Sequence, residues 1–315
     1  MTMTLPPLTP AEPLVIGHHW RGYRCASRLV HSHSPEPRLA PVVLIGGAFQ
    51  TKESWGRIER GLVEHADLLT VDLPGWGAGE PLPERYGADF MADALCHMLD
   101  EVGLPRVNVL AGSYGTAVAY LLAQRRPERV AKMVLAGTMT SIPPTARAAM
   151  QRTVDLLTAG RVAEFADATA ALLVNQERIG AVTRGSRVHR FLIRRMTSLA
   201  PDEIEQHLTN TRRLLQHQML DPSQAPTAPV LVTTGEHDIF TTPDLCRELA
   251  ATCADSWFAK VAEADHMLLL ERPDELVDLI LRFLHGRPLA GLPYCRSVER
   301  VSPTPALVAG PRWRG

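Results

Sequence analysis

The sequence lacks the features that would place it outside the ordinary globular proteins. Its formal net charge is -1, so no overall field draws it to nucleic acid or to an anionic membrane. No run approaches the roughly 18 apolar residues of a membrane-spanning helix, and the N-terminal MTMTLPPLTPAEP lacks the basic and apolar parts of a signal peptide. These absences predict a soluble, cytoplasmic protein.

Cysteines are few and show no pairing pattern. They are Cys25, Cys96, Cys246, Cys253 and Cys295. An odd set without a CxxC pair argues against a disulfide framework and against a zinc site, and favours reduced thiols. The glycines at 75–79 lack the spacing and the following helix of a dinucleotide fingerprint. The sequence therefore predicts neither a metal nor a cofactor.

Short apolar runs that end in turn residues dominate the first half of the chain. PVVLIGG (41–47) is rich in β-branched residues and stops at two glycines, as expected of a strand buried on both faces. Similar runs occupy 66–77, 106–112, 130–138 and 229–235, with helix-like segments between several of them. This alternation predicts an α/β fold with a mainly parallel sheet flanked by helices.

The strand signal disappears in one long segment. Residues 143–222 show only helical periodicity, which predicts a helical cap inserted into a core made of 1–142 and 223–286. Such a cap should lie above the C-terminal edge of the sheet, where open α/β sheets bind ligands. Residues 287–315 hold several prolines and no periodicity, so we expect a loose C-terminal tail.

Ser113 stands between a predicted strand and a predicted helix in AGSYGTA (111–117). Small residues on either side are what a nucleophile elbow requires, because larger side chains would clash in so sharp a turn. The first small residue is Ala111 rather than the glycine of G-x-S-x-G. The alternative is a serine that merely caps the helix.

A serine hydroxyl needs a base to become a good nucleophile at neutral pH. Among twelve histidines, His266 follows the last predicted core strand and precedes the last helix. The orienting carboxylate should follow a strand between the two, and Asp238 lies just beyond PVLVTTG, with Glu236 as its competitor. For an oxyanion, the N–H groups of Ala48, in the turn after the first buried strand, and of Tyr114 are the candidate donors.

These segments resemble the α/β-hydrolase family, in particular its cap-bearing esterases, thioesterases and prolyl aminopeptidases. The matching segments are GGAFQTKESW, DLPGWGAGE, AGSYGTA, LDPSQAPTAPVLVTTGEHD and ADHMLLLERPDEL. The resemblance implies Ser113 as nucleophile, Asp238 as acid and His266 as base, with oxyanion donors at Ala48 and Tyr114. Two positions depart from the family pattern, since Gly46 replaces its frequent histidine and Asp265 its usual glycine before the base.

The cap carries a cluster of arginines, which are Arg184, Arg187, Arg190, Arg194 and Arg195. They form either a solvated helix face or a surface that docks an anionic carrier protein bearing the acyl substrate. For the substrate pocket we predict Phe49, Phe191 and Met267.

The predicted function is a serine hydrolase that cleaves an ester or thioester of a small-molecule acyl substrate through an acyl-serine intermediate. Three alternatives stay open: an acyltransferase or cyclase that passes the acyl group to another nucleophile, a proline-iminopeptidase-like peptidase, and a binding protein without turnover. The cap's basic bias argues against the peptidase, which would need carboxylates for the substrate's amino group.

Overall fold

One nine-stranded sheet forms the centre of the fold within the residues that the computed structural model describes, 12–222 and 224–301. The strands are β1 (Leu14–Trp20), β2 (Tyr23–Val30), β3 (Val42–Ile45), β4 (Leu68–Asp72), β5 (Val107–Gly112), β6 (Val130–Ala136), β7 (Val230–Gly235), β8 (Ser256–Val261) and β9 (Cys295–Val301). Their order is β1-β2-β4-β3-β5-β6-β7-β8-β9. The pairs from β4 to β8 are parallel, and β1, β2 and β9 run antiparallel at the two edges.

Helices cover both faces of this sheet, as predicted. They are α1 (Gly56–Leu62), α2 (Ala88–Val102), α3 (Gly115–Arg125), α4 (Pro144–Thr158), α5 (Val162–Leu173), α6 (Gly185–Thr197), α7 (Pro201–Gln216), α8 (Pro243–Ala250), α9 (Leu268–Glu271) and α10 (Pro273–His285), with 3₁₀ turns at Pro127–Arg129 and Gln176–Ala181. None of the helices within the described ranges is long and apolar enough to cross a bilayer.

Strand β3 shows why the sheet needs cover on both sides. Val43 and Ile45 pack with residues of α2, α3 and α8, whereas Val42 and Leu44 pack with residues of α1 and α10. Side chains alternate across a strand, so a continuous apolar run supplies both faces at once. The run PVVLIGG is therefore apolar throughout rather than at every second position.

Between β6 and β7 the chain passes through α4 to α7, and no strand forms in residues 143–222. These helices have an apolar cluster of their own, to which α6 contributes Val188, Leu192 and Met196. Their spacing of four residues puts all three on one face of the helix.

The expected loose tail is wrong for its middle part, because residues 295–301 form β9 and pair with β8. The strand lies at the sheet edge and is mostly polar, so it shows no apolar alternation. Backbone pairing and the ion pairs Arg247–Glu299 and Arg300–Asp255 hold it instead. The rest of the predicted tail, from 302 to 315, lies outside the described residues.

A buried ion pair fixes the loops that follow β3 and β4. Asp72 is fully buried and accepts hydrogen bonds from the Lys52 backbone N–H at 2.8 Å, the Lys52 Nζ at 2.9 Å and the Ala78 N–H at 3.0 Å. Because both loops reach the same edge of the sheet, this carboxylate joins two walls of the region in which the candidate site lies.

Substituting Asp72→Ala should lower the free energy of unfolding by about 3 kcal/mol, because it removes the buried partner of Lys52 and leaves the Lys52 Nζ with Glu53 alone, whose side chain is 57% exposed. Urea denaturation monitored by circular dichroism measures the change. The control is Asp274→Ala, which removes an exposed ion pair with Arg57 and should cost far less. Equal losses in the two variants would contradict the assigned role of Asp72.

Candidate active site

Three side chains that are distant in sequence meet at the C-terminal edge of the parallel sheet. Ser113 directly follows β5, Asp238 lies on the loop after β7, and His266 lies on the loop after β8. The carboxyl ends of parallel strands share one edge, and the chain order alone therefore brings these loops together.

The Ser113 backbone adopts a left-handed conformation, with φ at +48°. Its N–H donates to the Ala136 carbonyl at 2.8 Å, and its carbonyl accepts from the Thr116 N–H at 2.9 Å. Gly115 permits the turn, because a Cβ there would lie 2.6 Å from the carbonyl oxygens of Ile45 and Gly46. Ser113 itself carries the backbone strain. Gly115, two residues later, has no side chain, which lets the helix pass close to β3.

A continuous hydrogen-bonded line joins the three side chains. His266 Nε2 lies 3.2 Å from Ser113 Oγ, and His266 Nδ1 lies 3.0 Å from Asp238 Oδ2. A carboxylate can only accept, so Nδ1 carries the proton and Nε2 is free to accept from the serine hydroxyl. The predicted residues are thus in proton-transfer contact.

Asp238 is buried, yet its carboxylate is surrounded by donors besides His266. Oδ1 accepts from the N–H groups of Phe240 at 2.9 Å and Thr241 at 2.8 Å. Oδ2 accepts from the hydroxyls of Thr234 and Thr241, each at 2.6 Å. The sequence analysis missed both threonines, although Thr234 at the end of β7 and the loop threonine Thr241 flank the acid.

Charge interactions shift the pKa values of the pair apart. Burial alone would raise the pKa of Asp238, but the charge of His266 and the hydrogen bonds to the carboxylate outweigh it, so the pKa is lowered. Burial alone would lower the pKa of His266, but the charge and hydrogen bond of Asp238, with the charge of Asp265, raise it. The imidazolium is therefore stabilised beside Ser113.

Glu236, the competing carboxylate, faces away from the base. Its side chain accepts from the Glu263 N–H at 2.7 Å and from Arg296 at 2.6 Å on the edge strand β9. The structure thus brings Asp238, and not Glu236, to the imidazole.

The turn after β3 lies directly against Ser113. A Cβ on Gly47 would lie 2.9 Å from that of Ser113, so only glycine fits. The Gly47 N–H donates to Gln50 Oε1 at 2.7 Å, and its carbonyl accepts from Trp76 Nε1 at 3.2 Å. This pinned turn places Ala48 in the lining of the same cavity as Ser113 and Tyr114. The backbone N–H groups of Ala48 and Tyr114 have no acceptor among the described residues.

A cavity of about 330 Å³ opens between the cap and the sheet edge at Ser113. Much of its wall is apolar, including Phe49, Met139, Ile142, Met150, Leu172 and Met219. Of the charged side chains in the lining, Arg195 and Glu203 form an ion pair with each other and Asp202 is exposed.

The structure keeps one of the three predicted pocket residues. Phe49 lines the cavity. Phe191 is wrong as a pocket residue, because α6 turns Val188 and Leu192 inward and leaves Phe191 47% exposed on the outer face. Met267 is also wrong, since it packs against the apolar cluster of the cap rather than lining the cavity.

His207 of the cap was missed by the sequence analysis. Its ring stacks on Phe49 with centroids 4.2 Å apart and meets Phe165 edge-on at 5.2 Å. Burial lowers the pKa of His207 to about 4, so this part of the wall is uncharged at neutral pH. An isolated histidine on an amphipathic helix carries no signal that would have revealed this position.

Comparison with known proteins points to one fold family. The model of the α/β-hydrolase fold family matches residues 40–273. The pimeloyl-[acyl-carrier protein] methyl ester esterase of Nitrosospira multiformis is 26% identical over 77% of this chain and 93% of its own. A 2-hydroxy-6-oxononadienedioate/2-hydroxy-6-oxononatrienedioate hydrolase of Klebsiella pneumoniae is also 26% identical, over 77% of this chain and 86% of its own.

Solved structures resemble the chain in fold. The enol-lactonase from Burkholderia xenovorans superimposes with a TM-score of 0.72 at 20% identity, over 86% of this chain and 100% of its own. A thermophilic esterase from Thermogutta terrifontis gives a TM-score of 0.70 at 20% identity, over 88% and 99%.

His266 should titrate above the ordinary pKa of histidine and fall below it in Asp238→Asn, because the substitution removes the opposing charge while burial remains. NMR titration of the imidazole measures both values. Glu236→Gln removes a nearby carboxylate that does not face the ring and should leave the pKa unchanged. A His266 pKa that does not respond to Asp238→Asn would disprove the pairing.

Proposed function

The chain belongs to the α/β-hydrolase fold family, and we propose that it is a serine hydrolase that cleaves an ester or thioester through an acyl-Ser113 intermediate. The hydrogen-bonded line from Ser113 through His266 to Asp238, at the wall of a cavity, is the observation that carries this proposal. The family supports hydrolysis, and the side chains support the serine mechanism.

Acylation begins when Ser113 Oγ attacks the acyl carbonyl carbon while its proton passes to His266 Nε2. Asp238 stabilises the imidazolium that forms and keeps the other ring proton on Nδ1. The carbonyl oxygen becomes an oxyanion, and the N–H groups of Ala48 and Tyr114 are the donors we assign to it. Each such donor is worth on the order of 3 kcal/mol of transition-state stabilisation.

Collapse of the tetrahedral intermediate breaks the bond to the leaving group, which takes the proton from His266 and departs. Water then enters, gives a proton to the free Nε2 and attacks the acyl-serine carbonyl. The second collapse returns the proton to Ser113 Oγ and releases the carboxylic acid.

The lining of the cavity favours a substrate whose acyl group is uncharged and apolar. Its wall offers methionine and leucine side chains near Ser113, and its cation, Arg195, is already paired with Glu203. A carboxylate on the acyl group would lose its hydration in this cavity without gaining an unpaired cation as its partner. The dioate named for the Klebsiella relative is therefore a poor match for this wall.

A carrier-bound acyl group is part of the proposal, because α6 presents a basic outer face. Arg187, Arg190 and Arg194 are exposed and have no ion-pair partner among the residues described. Phe191 lies exposed among them, and Arg195, in the last turn of the same helix, lines the cavity. An acidic carrier protein complements this face in charge.

Acyl transfer is the second candidate, since the first half-reaction is the same. Incubation with substrate, water and an added alcohol or amine separates the two by product. The peptidase finds less support, because Glu203 in the cavity wall is paired with Arg195 and the other carboxylate of the lining, Asp202, is exposed to solvent. A cytoplasmic location belongs to the same proposal and is supported by the five free thiols.

A fluorophosphonate should label the protein, and Ser113→Ala should abolish both the label and ester hydrolysis. The reagent reports an activated serine without requiring the true substrate, and intact mass spectrometry detects one adduct. Ser186→Ala, which removes an exposed serine of the cap, is the control and should label normally. A binding protein without turnover would remain unlabelled.

The double variant Arg187→Glu/Arg194→Glu should lower kcat/KM on an acyl-carrier thioester by at least about tenfold, because charge reversal repels an acidic partner. Activity on the same acyl group carried by N-acetylcysteamine should be unchanged. The matched control, Arg106→Glu/Arg126→Glu, alters exposed arginines at the opposite edge of the sheet. Equal losses on both substrates would refute carrier docking at this face.

A further inference from the structure

Asp265, the residue before the proposed base, is fully buried and joins the base loop to the cap. Its Oδ1 accepts the backbone N–H of His266 at 2.8 Å. Its Oδ2 accepts the backbone N–H of Asn175, which belongs to the cap segment between α5 and the 3₁₀ turn at Gln176–Ala181. One carboxylate therefore bridges the cap backbone and the backbone of the base.

Asn175 also contacts the loop that carries the proposed acid. Its side-chain Nδ2 donates to the carbonyl of His237 at 3.2 Å, beside Asp238. A single cap residue is thus bonded to both loops that carry the imidazole and its carboxylate. Any displacement of this cap segment would disturb both loops, since hydrogen bonds of this kind tolerate little change in length or angle.

A second acid supports Asp265 from α9. The Asp265 N–H donates to Glu271 Oε2 at 2.6 Å, and Glu271 is also fully buried. Burial raises the pKa of Glu271 to about 8 and that of Asp265 to about 6. At neutral pH, Asp265 therefore carries the charge and Glu271 is mostly protonated.

The groups that surround His266 come from several elements. Asp238 on the β7 loop touches the ring, Asp265 lies on its own loop, Glu271 comes from α9, and the Cys246 thiol of α8 contacts the loops beside Asp238. Burial raises the pKa of Cys246, so the thiol is neutral. Asp238 and Asp265 are then the charges that favour the imidazolium.

We propose that Asp265 is a positioning residue, which ties the cap to the loop of His266 through the Asn175 N–H and holds His266 in register with Ser113. The inference rests on the proposed function for its kinetic part only, because the tether and the charge on His266 can be measured without turnover.

Asp265→Asn tests the charge. The variant keeps the size of the side chain and one acceptor oxygen but removes the negative charge. The pKa of His266 should therefore fall by about half a unit or more, both in NMR titration and in the acid limb of kcat/KM. The acid limb moves to lower pH because a weaker base stays neutral further into acid. The control is Glu263→Gln on the same loop, whose side chain is 61% exposed and whose charge solvent screens.

Asn175→Pro and Asn175→Ala test the tether as a matched pair. Asn175 has φ at −70°, and Val174 before it is extended, so proline fits the backbone while removing the N–H. Alanine keeps the N–H and loses only the side-chain bond to His237. Trypsin cleavage at Arg178, within the 3₁₀ turn that follows, should be severalfold faster in the proline variant than in the alanine variant.

The proline variant should also lower kcat and leave KM nearly unchanged, because the loop that carries His266 shifts while the cavity wall remains in place. An unchanged His266 pKa in Asp265→Asn, or equal trypsin cleavage of the two Asn175 variants, would overturn the inference. Fluorophosphonate labelling of the unaltered protein separates this outcome from failure of the proposed function, since labelling depends on Ser113 whether or not the tether exists.

Discussion

The conformation of Ser113 is the constraint on which the site depends. A non-glycine residue with positive φ costs about 1 to 3 kcal/mol and persists only where its surroundings enforce it. Here the Ser113 N–H is held by β6, its carbonyl accepts from Thr116 of α3, and the Gly47 turn leaves no room for a side chain beside it. The rest of the sheet supplies the packing that maintains this strain, and the strain presents the hydroxyl to His266.

Buried charge is the second constraint, and the site distributes it unequally. Asp238 remains ionised because two N–H groups, two hydroxyls and the imidazole solvate it in place of water. The Glu271 carboxyl accepts far fewer hydrogen bonds, since its Oε1 is without a partner among the described residues. Its raised pKa is the physical consequence, because protonation removes a charge that nothing nearby compensates. Asp238, and Asp265 with one backbone N–H on each oxygen, are therefore supported as anions, whereas Glu271 is not.

The sequence was enough to predict those residues of the site whose position follows from the order of strands along the chain. The buried runs indicated parallel strands, and the carboxyl ends of such strands must meet, so Ser113, Asp238 and His266 could be predicted together. Phe191 and Met267 could not be excluded, because the sequence does not say which face of a cap helix meets the sheet. Strand β9 was not predicted for a related reason. An edge strand is held by backbone pairing, which leaves no apolar period in the sequence.

The cap is joined to the core by directional hydrogen bonds on both sides of the cavity. On the base side, Asn175 is bonded to Asp265 and to the carbonyl of His237. Over the cavity, His207 of α7 stacks on Phe49, and the same helix donates from Gln206 Nε2 to the Gly77 carbonyl at 3.1 Å and from Asn210 Nδ2 to the Gly75 carbonyl at 2.9 Å. Such bonds tolerate little change in length or angle, so both sides resist displacement of the cap. The base side holds the loops of the proposed acid and base, whereas α7 holds the loop after β4, and the cap therefore fixes two different walls of the site.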